Sequence, residues 1–350
     1  MKVSIAMSGG VDSAVTAYLI SKRYDCHGAT MRLCSGLLSQ EYSERAERDI
    51  LDARRICDAL GIPHDVYDLS DEFRKAVVDD FISAYRSGAT PNPCIVCNRE
   101  IKFGVFFDRC QELGADAVAT GHYARIEKDG AGRYLLKKAA DLSKDQSYVL
   151  YSLTQRQLSR TLFPLGDLTK AEARQIALDN GFINASKRDS QDICFIPDGD
   201  YAAFIQRITG EIFPKGNFID INGCVLGEHD GIIKYTVGQR KGLGIALGEP
   251  MYVSKKNVFD NTVTLARNSE LFGRELTASK INLIACDSID SPTRLSARIR
   301  YNQTEQSATV IQTDGDTLHV TFDEPQRAIS RGQSLVLYDG DTVVGGGIIN

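Results

Sequence analysis

Along the N-terminal part of the chain, short apolar runs alternate with stretches of helical periodicity. "KVSIAM" reads as a buried strand and "VDSAVTAYLISKR" as the helix after it. "HGATMRL" is a second strand. The helix "EYSERAERDILDARRICDALG" then places Ile50, Leu51, Ile56, Cys57 and Leu60 on one face and stops at Gly61. "PHDVYDLS" gives a third strand and "DEFRKAVVDDFISAYRSG" a helix closed by Gly88. The helical "REIKFGVFFDRCQELG" leads into one further strand, "ADAVATGHYARI". Thr154 with Gln157, and Thr169 with Glu172, have capping-box spacing, so helices are expected to start there, the second stopping at Gly181. Strands alternating with helices imply parallel strands joined by crossovers.

Past about residue 205 the helical period fades and β-rich runs appear: "GNFIDING", "GIIKYTV", "EPMYVSKK", "NTVTLAR". The C-terminal part is all-β, and "TDGDT" and "YDGDT" set Asp-Gly pairs between β-prone runs, a hairpin signal. The expected fold is α/β: a parallel-sheet domain over 1–204, a small β-rich central domain over 205–272 and a C-terminal β-barrel over 273–350.

With a net charge of −5, bulk charge does not attract nucleic acid, so any such partner needs local basic patches. No apolar run nears the roughly 20 residues of a membrane span, so no membrane partner is expected. "MKVSIAM" lacks the apolar core of a signal peptide, and a cytoplasmic location is expected. Nine scattered cysteines are an odd count, unlike a secreted disulfide framework, and read as reduced thiols.

"SGGVDS", from Ser8 to Ser13, follows the first strand and opens the first helix. Such a loop turns backbone N–H groups toward a ligand at the positive end of the helix, which makes an anion site. It has neither the lysine of a Walker A loop nor the dinucleotide glycine pattern. Asp12 could hold a metal beside phosphates; a plain capped turn is the simpler alternative.

"TPNPCIVCNREIKFG" sets Cys94 and Cys97 ahead of a helix, whose N-terminus is expected to lower a thiol pKa. "RDSQDICFIPDGDY" sets Cys194 in a second polar loop. Cys57 and Cys110 fall at apolar helix spacing and read as structural; Cys26, Cys34, Cys224 and Cys286 carry no motif. A structural zinc site would need a second C-x-x-C pair, and the chain has none. A redox pair and an iron–sulfur cluster on Cys94, Cys97 and Cys194 both remain open.

"SGGVDS" in this setting resembles the PP-loop of the ATP pyrophosphatases. Together with "TPNPCIVCNREIKF", "VATGHYAR", "KDQSYVLY", "DSQDICFI", "YTVGQRKGLGI", "RIRYNQTE", "FDEP" and "GQSLVLYDGDTVVGGGII", the chain resembles the tRNA-specific 2-thiouridylases over its whole length. The resemblance implies a PP-loop (adenine nucleotide alpha hydrolase-like) domain and an ATP-dependent sulfurtransferase acting on C2 of the wobble uridine, with ATP and Mg²⁺. It implies a Cys194 persulfide with Cys97 as partner nucleophile. Ala6, Met7, Ser8, Gly9, Gly10, Val11, Asp12, Ser13, Met31 and Gly121 would contact ATP. Asn92, Pro93 and Cys94 would line the base pocket. His122, Lys144, Asp145, Gln146, Arg300, Tyr301 and Gln333 would contact tRNA. The implied partners are tRNAs for lysine, glutamate and glutamine, and a persulfide donor such as a cysteine desulfurase or a relay protein.

On residues alone, His122 also suits a hydrogen-bonded core position, and "KDQ" a solvated helix start. Some relatives have an aspartate at the position of Cys94; a cysteine does not accept hydrogen bonds in the same way, which weighs against an acid–base role there and in favour of the iron–sulfur cluster alternative. The stretch "RLCSGLLSQ" after Met31 offers no acidic or aromatic cluster. An amidating or lysidine-forming PP-loop ligase is the alternative enzyme class; it would leave the thiols idle.

Overall fold

The computed structural model describes residues 1–34, 40–185, 187 and 193–350, with the backbone alone for 40–42. The expectations for "DSQDICFI" and "RLCSGLLSQ" therefore fall partly outside the described residues.

A five-stranded parallel sheet organises the N-terminal domain. Its strands are β1 (Lys2–Ala6), β2 (Asp25–Arg32), β3 (His64–Asp68), β4 (Ala117–Ala119) and the short Thr161–Leu162. The spatial order is β3-β2-β1-β4 and then Thr161–Leu162. Chain order reverses between β1 and β4, the place where open α/β sheets leave a crevice for ligands. The loop Met7–Gly10 leaves β1 at that point and enters α1 (Val11–Ser21). The helix α2 (Gln40–Leu60) covers the same sheet, burying Ile50, Ile56 and Cys57. Leu51, expected on that face, is about half exposed: it directly follows Ile50 and so points well round the helix from it. The capping boxes at Thr154 and Thr169 form as expected.

The expected strand "ADAVATGHYARI" is in fact two. Ala117–Ala119 stays in the parallel sheet, the chain turns at Thr120–Tyr123, and Ala124–Lys128 pairs with Tyr134–Lys138 as a hairpin. That hairpin joins the C-terminal barrel, because Leu136 and Lys137 pair with Val343 and Thr342. Six antiparallel strands between Phe272 and Ile349 form the barrel, closed where Phe272–Leu283 meets Thr342–Ile349. The Asp-Gly signals lie at its hairpin turns.

Between these domains lies a four-stranded sheet built on Phe218, Val253, Val263 and Leu265, all fully buried. The run "GIIKYTV" is no strand there: Ile232–Lys234 is a short 3₁₀ turn that tucks Ile233 and Tyr235 inward.

Candidate active site

The loop at the sheet's switch point is held from several sides. Gly9 has φ +68°, and a Cβ there would stand 2.2 Å from the Asp49 carbonyl oxygen, so only glycine fits. The Gly9 carbonyl accepts from Asn184 (3.3 Å) and from Lys187 (3.1 Å), and Lys187 also binds Asp49 at 2.5 Å. Ser13 Oγ donates to the Gly10 carbonyl and accepts from the Ser8 N–H. Gly10 is the N-cap residue and supplies no side-chain cap, which leaves the first N–H groups of α1 facing the crevice.

Asp12 does not wait for a metal. Lys170 Nζ lies 2.8 Å from both of its oxygens, and the Tyr123 hydroxyl donates to it at 2.9 Å. Lys170 is the first residue of the helix capped by Thr169, so that capping box aims the lysine at the loop. Gly121 lets β4's exit lie against the start of α1, where a Cβ would meet Asp12 at 3.0 Å.

A cavity of about 950 Å³ opens over this loop. Ala6, Met7, Ser8, Gly10, Val11, Asp12, Ser13, Met31 and Gly121 line it, as do His122, Lys144, Gln146 and Tyr301. Its size and its mix of loop N–H groups and cationic side chains suit a nucleoside triphosphate. A second cavity of about 290 Å³ adjoins it, with Cys194, Ile193 and Cys34 in its wall. Met7, Ser8, Met31, Arg45, Asp49 and Lys102 line both.

The C-x-x-C segment is placed as its sequence suggests. The Asn92 side chain accepts from the N–H of Cys94 and Ile95, and Pro93 fills the first helical position. The helix then widens to π winding over Cys97–Val105 and kinks at Gly104. In an α-helix, a residue five positions on lies well round the far side. Winding with i→i+5 hydrogen bonds returns it, so Lys102 stands on the side of Cys97.

The lowered thiol pKa expected from the helix terminus is not found. Burial pushes Cys97 up to about 11, with Lys102 offsetting part of the rise. Burial likewise raises Cys94, which Lys102 again opposes. Cys194 is raised furthest, first by burial and then by the charges of Cys97, Cys34 and Cys94. Desolvation of the thiolate is the largest influence on all three cysteines. Cys94 and Cys194 nevertheless expose surface, so reagents can reach them, whereas Cys97 is buried. The two cysteines far apart in sequence thus share one electrostatic neighbourhood beside the glycine loop. Among the described residues, no three His, Cys, Asp or Glu side chains converge into a metal-binding set, Cys94, Cys97 and Cys194 included.

The remaining expected residues serve two ends. Tyr301, Lys144 and Gln146 rim the large cavity. Asp145 is buried, accepting from the N–H groups of Ala139 and Ser147 and from the Ser147 hydroxyl. Arg300 binds the Ala328 carbonyl at 2.5 Å, and Gln333 donates to the Thr90 carbonyl at 2.8 Å, just ahead of the C-x-x-C segment. Sequence reasoning missed Lys102, Lys170, Lys187 and Cys34. The first three lie outside any quoted phosphate motif, and Cys34 is joined to Cys194 only by folding.

A glycine loop at the switch point of a parallel sheet, with thiols in the adjoining wall, defines a nucleotide-using enzyme domain of sulfur chemistry. The tRNA methyl transferase HUP domain matches residues 1–198, the tRNA methyl transferase PRC-barrel domain 202–267 and the aminomethyltransferase beta-barrel domain 273–349. The tRNA-specific 2-thiouridylase MnmA of Clostridioides difficile is 48% identical over 352 residues, covering 99% of this chain and 98% of that protein. The enzyme of the same name from Treponema denticola is 47% identical over 359 residues, covering 100% and 98%. The chain belongs to the tRNA-specific 2-thiouridylase family, as its motifs led one to expect.

Proposed function

We propose that this enzyme uses ATP to replace the C2 oxygen of the wobble uridine of tRNA with sulfur, giving 2-thiouridine, AMP and pyrophosphate. The observation that carries this reading is the wall shared by the glycine-loop cavity and the cavity lined by Cys194. Oxygen at C2 is a poor leaving group. Its attack on the α-phosphorus of ATP expels pyrophosphate, which the N–H groups at the start of α1 receive. The terminal sulfur of a Cys194 persulfide then adds to C2. Cys97 attacks the Cys194 sulfur, the S–S bond breaks toward the transferred sulfur, and AMP leaves. The products are the C2 thiocarbonyl and a Cys97–Cys194 disulfide, which an external thiol must reduce. Splitting one hard displacement into covalent steps lowers each barrier.

Mg²⁺ would arrive with the nucleotide, since Asp12 is engaged by Lys170. The uridine must leave its stack to present C2, and in this scheme Asn92, Pro93 and Cys94 border it. Unit 1–204 performs the chemistry, while units 205–272 and 273–350 position RNA. The substrates are tRNAs for lysine, glutamate and glutamine, and a cysteine desulfurase or relay protein charges Cys194. The reaction belongs in the cytoplasm, where thiols stay reduced.

The test is mass spectrometry of nucleosides from tRNA incubated with protein, Mg-ATP and a persulfide donor. The wild type forms 2-thiouridine, and Cys194→Ser and Cys97→Ser form none above background. Thiolation at the native rate by Cys194→Ser would overturn the assignment.

A further inference from the structure

Lys102 and His122 form a pair that the reaction scheme above does not use. His122 is 8% exposed, with its ring wedged between Phe103 (centroids 5.8 Å) and Phe163 (5.9 Å). Its Nε2 lies 3.4 Å from Lys102 Nζ and its Nδ1 lies 2.7 Å from Thr120 Oγ1. An ammonium only donates, so Nε2 accepts, Nδ1 carries the proton and donates to Thr120, and the ring is neutral. Burial, and then the charge of Lys102, hold the His122 pKa well below its ordinary value, consistent with that tautomer. The long lysine side chain is thereby tethered by a rigid acceptor rather than left to sample solvent. Lys102 itself lines both cavities.

We infer that Lys102 is the cation that stabilises the sulfur anions of the transfer step, and that His122 is a positioning residue that holds it there. Three observations converge on this. The π winding brings Lys102 round to Cys97. Lys102 shares the small cavity with Cys194. Its charge favours the thiolate at Cys94, Cys97 and Cys194 alike. The other charges lining these walls are Arg32, Arg45, Asp49, Lys144, Lys187 and the Asp12–Lys170 pair. Arg32 is engaged by Glu47 at 2.7 Å. Asp49 is taken by Lys187, and Asp12 by Lys170. In a site dry enough to disfavour thiolate, one nearby cation decides how much nucleophile exists. His122, expected from the family resemblance to face tRNA, acts here through the lysine.

The inference rests on the sulfur-transfer reading, but its test needs neither ATP nor tRNA. Iodoacetamide alkylation of Cys94 and Cys194, the two thiols of the site that expose surface, is followed by peptide mass spectrometry from pH 7 to 10.5 in wild type, Lys102→Met, Lys102→Arg and His122→Gln. Loss of the charge is expected to raise the apparent pKa by about one unit, slowing alkylation at pH 8 about tenfold. Lys102→Arg restores most of the rate and His122→Gln falls between. Wild-type profiles at both cysteines in Lys102→Met overturn the inference, whatever the thiolation assay shows. Should Lys102→Met fail to fold, superimposable profiles for wild type and His122→Gln overturn it instead. Failure of the wild type to thiolate tRNA, with the alkylation shift intact, would sink the sulfur-transfer reading and leave the lysine's effect on the thiols standing.

Discussion

Gly9 shows how much of the site rests on single atoms. Its φ of +68° costs a side-chain-bearing residue about 1–3 kcal/mol, and the Asp49 carbonyl leaves no room for a Cβ. Gly9→Ala is therefore expected to push the loop off α2 and break the Lys187 and Asn184 contacts to its carbonyl. A tRNA-dependent pyrophosphate-release assay should show a fall of at least roughly tenfold, the equivalent of 1.4 kcal/mol. Undiminished release would mean that the loop does not receive the phosphates. This residue was legible in the sequence, because two glycines and two serines between a strand and a helix have few other uses. Lys102 was not. Its place depends on π winding and on a histidine twenty positions away, neither of which leaves a local pattern. The thiols were legible as residues and misjudged as acids: a helix N-terminus can be read from "NPC", but the dryness around Cys97 comes from the whole fold.

Elements carry the second scale. Most helices and strands follow from periodicity and stop signals, and the errors fall where tertiary pairing takes over. "ADAVATGHYARI" has strand propensity throughout, yet the parallel sheet needs only Ala117–Ala119, and the rest pairs with a barrel encoded far downstream. In the central sheet, Lys256 sits on the strand Tyr252–Asn257 with its amine over the Tyr85 ring at 5.7 Å, and that amine is buried without a hydrogen-bond partner among the described residues. Burial lowers its pKa to about 8 from 10.5. Below about pH 8 the folded state bears the full cost of a buried ammonium. Between about 8 and 10.5 the unfolded chain holds the proton and the folded chain does not, so this group's contribution to stability rises with pH across that window. Lys256→Met is expected to stabilise the protein at pH 7 by about 1–3 kcal/mol. The gain should shrink as pH climbs from 8 toward 10.5. Calorimetry of both proteins across that range checks it, and a Met variant that melts lower at pH 7 would refute it.

At the scale of the whole molecule, the barrel is part of the catalytic domain's frame. The hairpin Ala124–Lys138 extends the barrel sheet, and the residue before it, Tyr123, holds Asp12. On the other side, the Thr90 N–H donates to the Arg331 carbonyl while the Gln333 amide donates to the carbonyls of Thr90 (2.8 Å) and Pro91 (3.5 Å). Composition announced a β-rich C-terminal unit; nothing in it announced that the unit grips the segment leading into Cys94. Two roles for Gln333 can therefore be separated, an RNA contact and a brace. Each hydrogen bond lost in Gln333→Ala is worth about 0.5–1.5 kcal/mol, enough to loosen the loop without unfolding the barrel. As a brace, its loss should change the alkylation rate of Cys94 in the free protein and slow thiolation several-fold, with tRNA affinity little altered. Gel-shift titration and alkylation kinetics on one preparation distinguish the cases. Weakened tRNA binding with unchanged Cys94 reactivity would make Gln333 a contact for RNA, and the barrel's grip on the thiol loop would then rest on the Thr90–Arg331 backbone bond and the packing of Gly332 against Ala89 and Thr90.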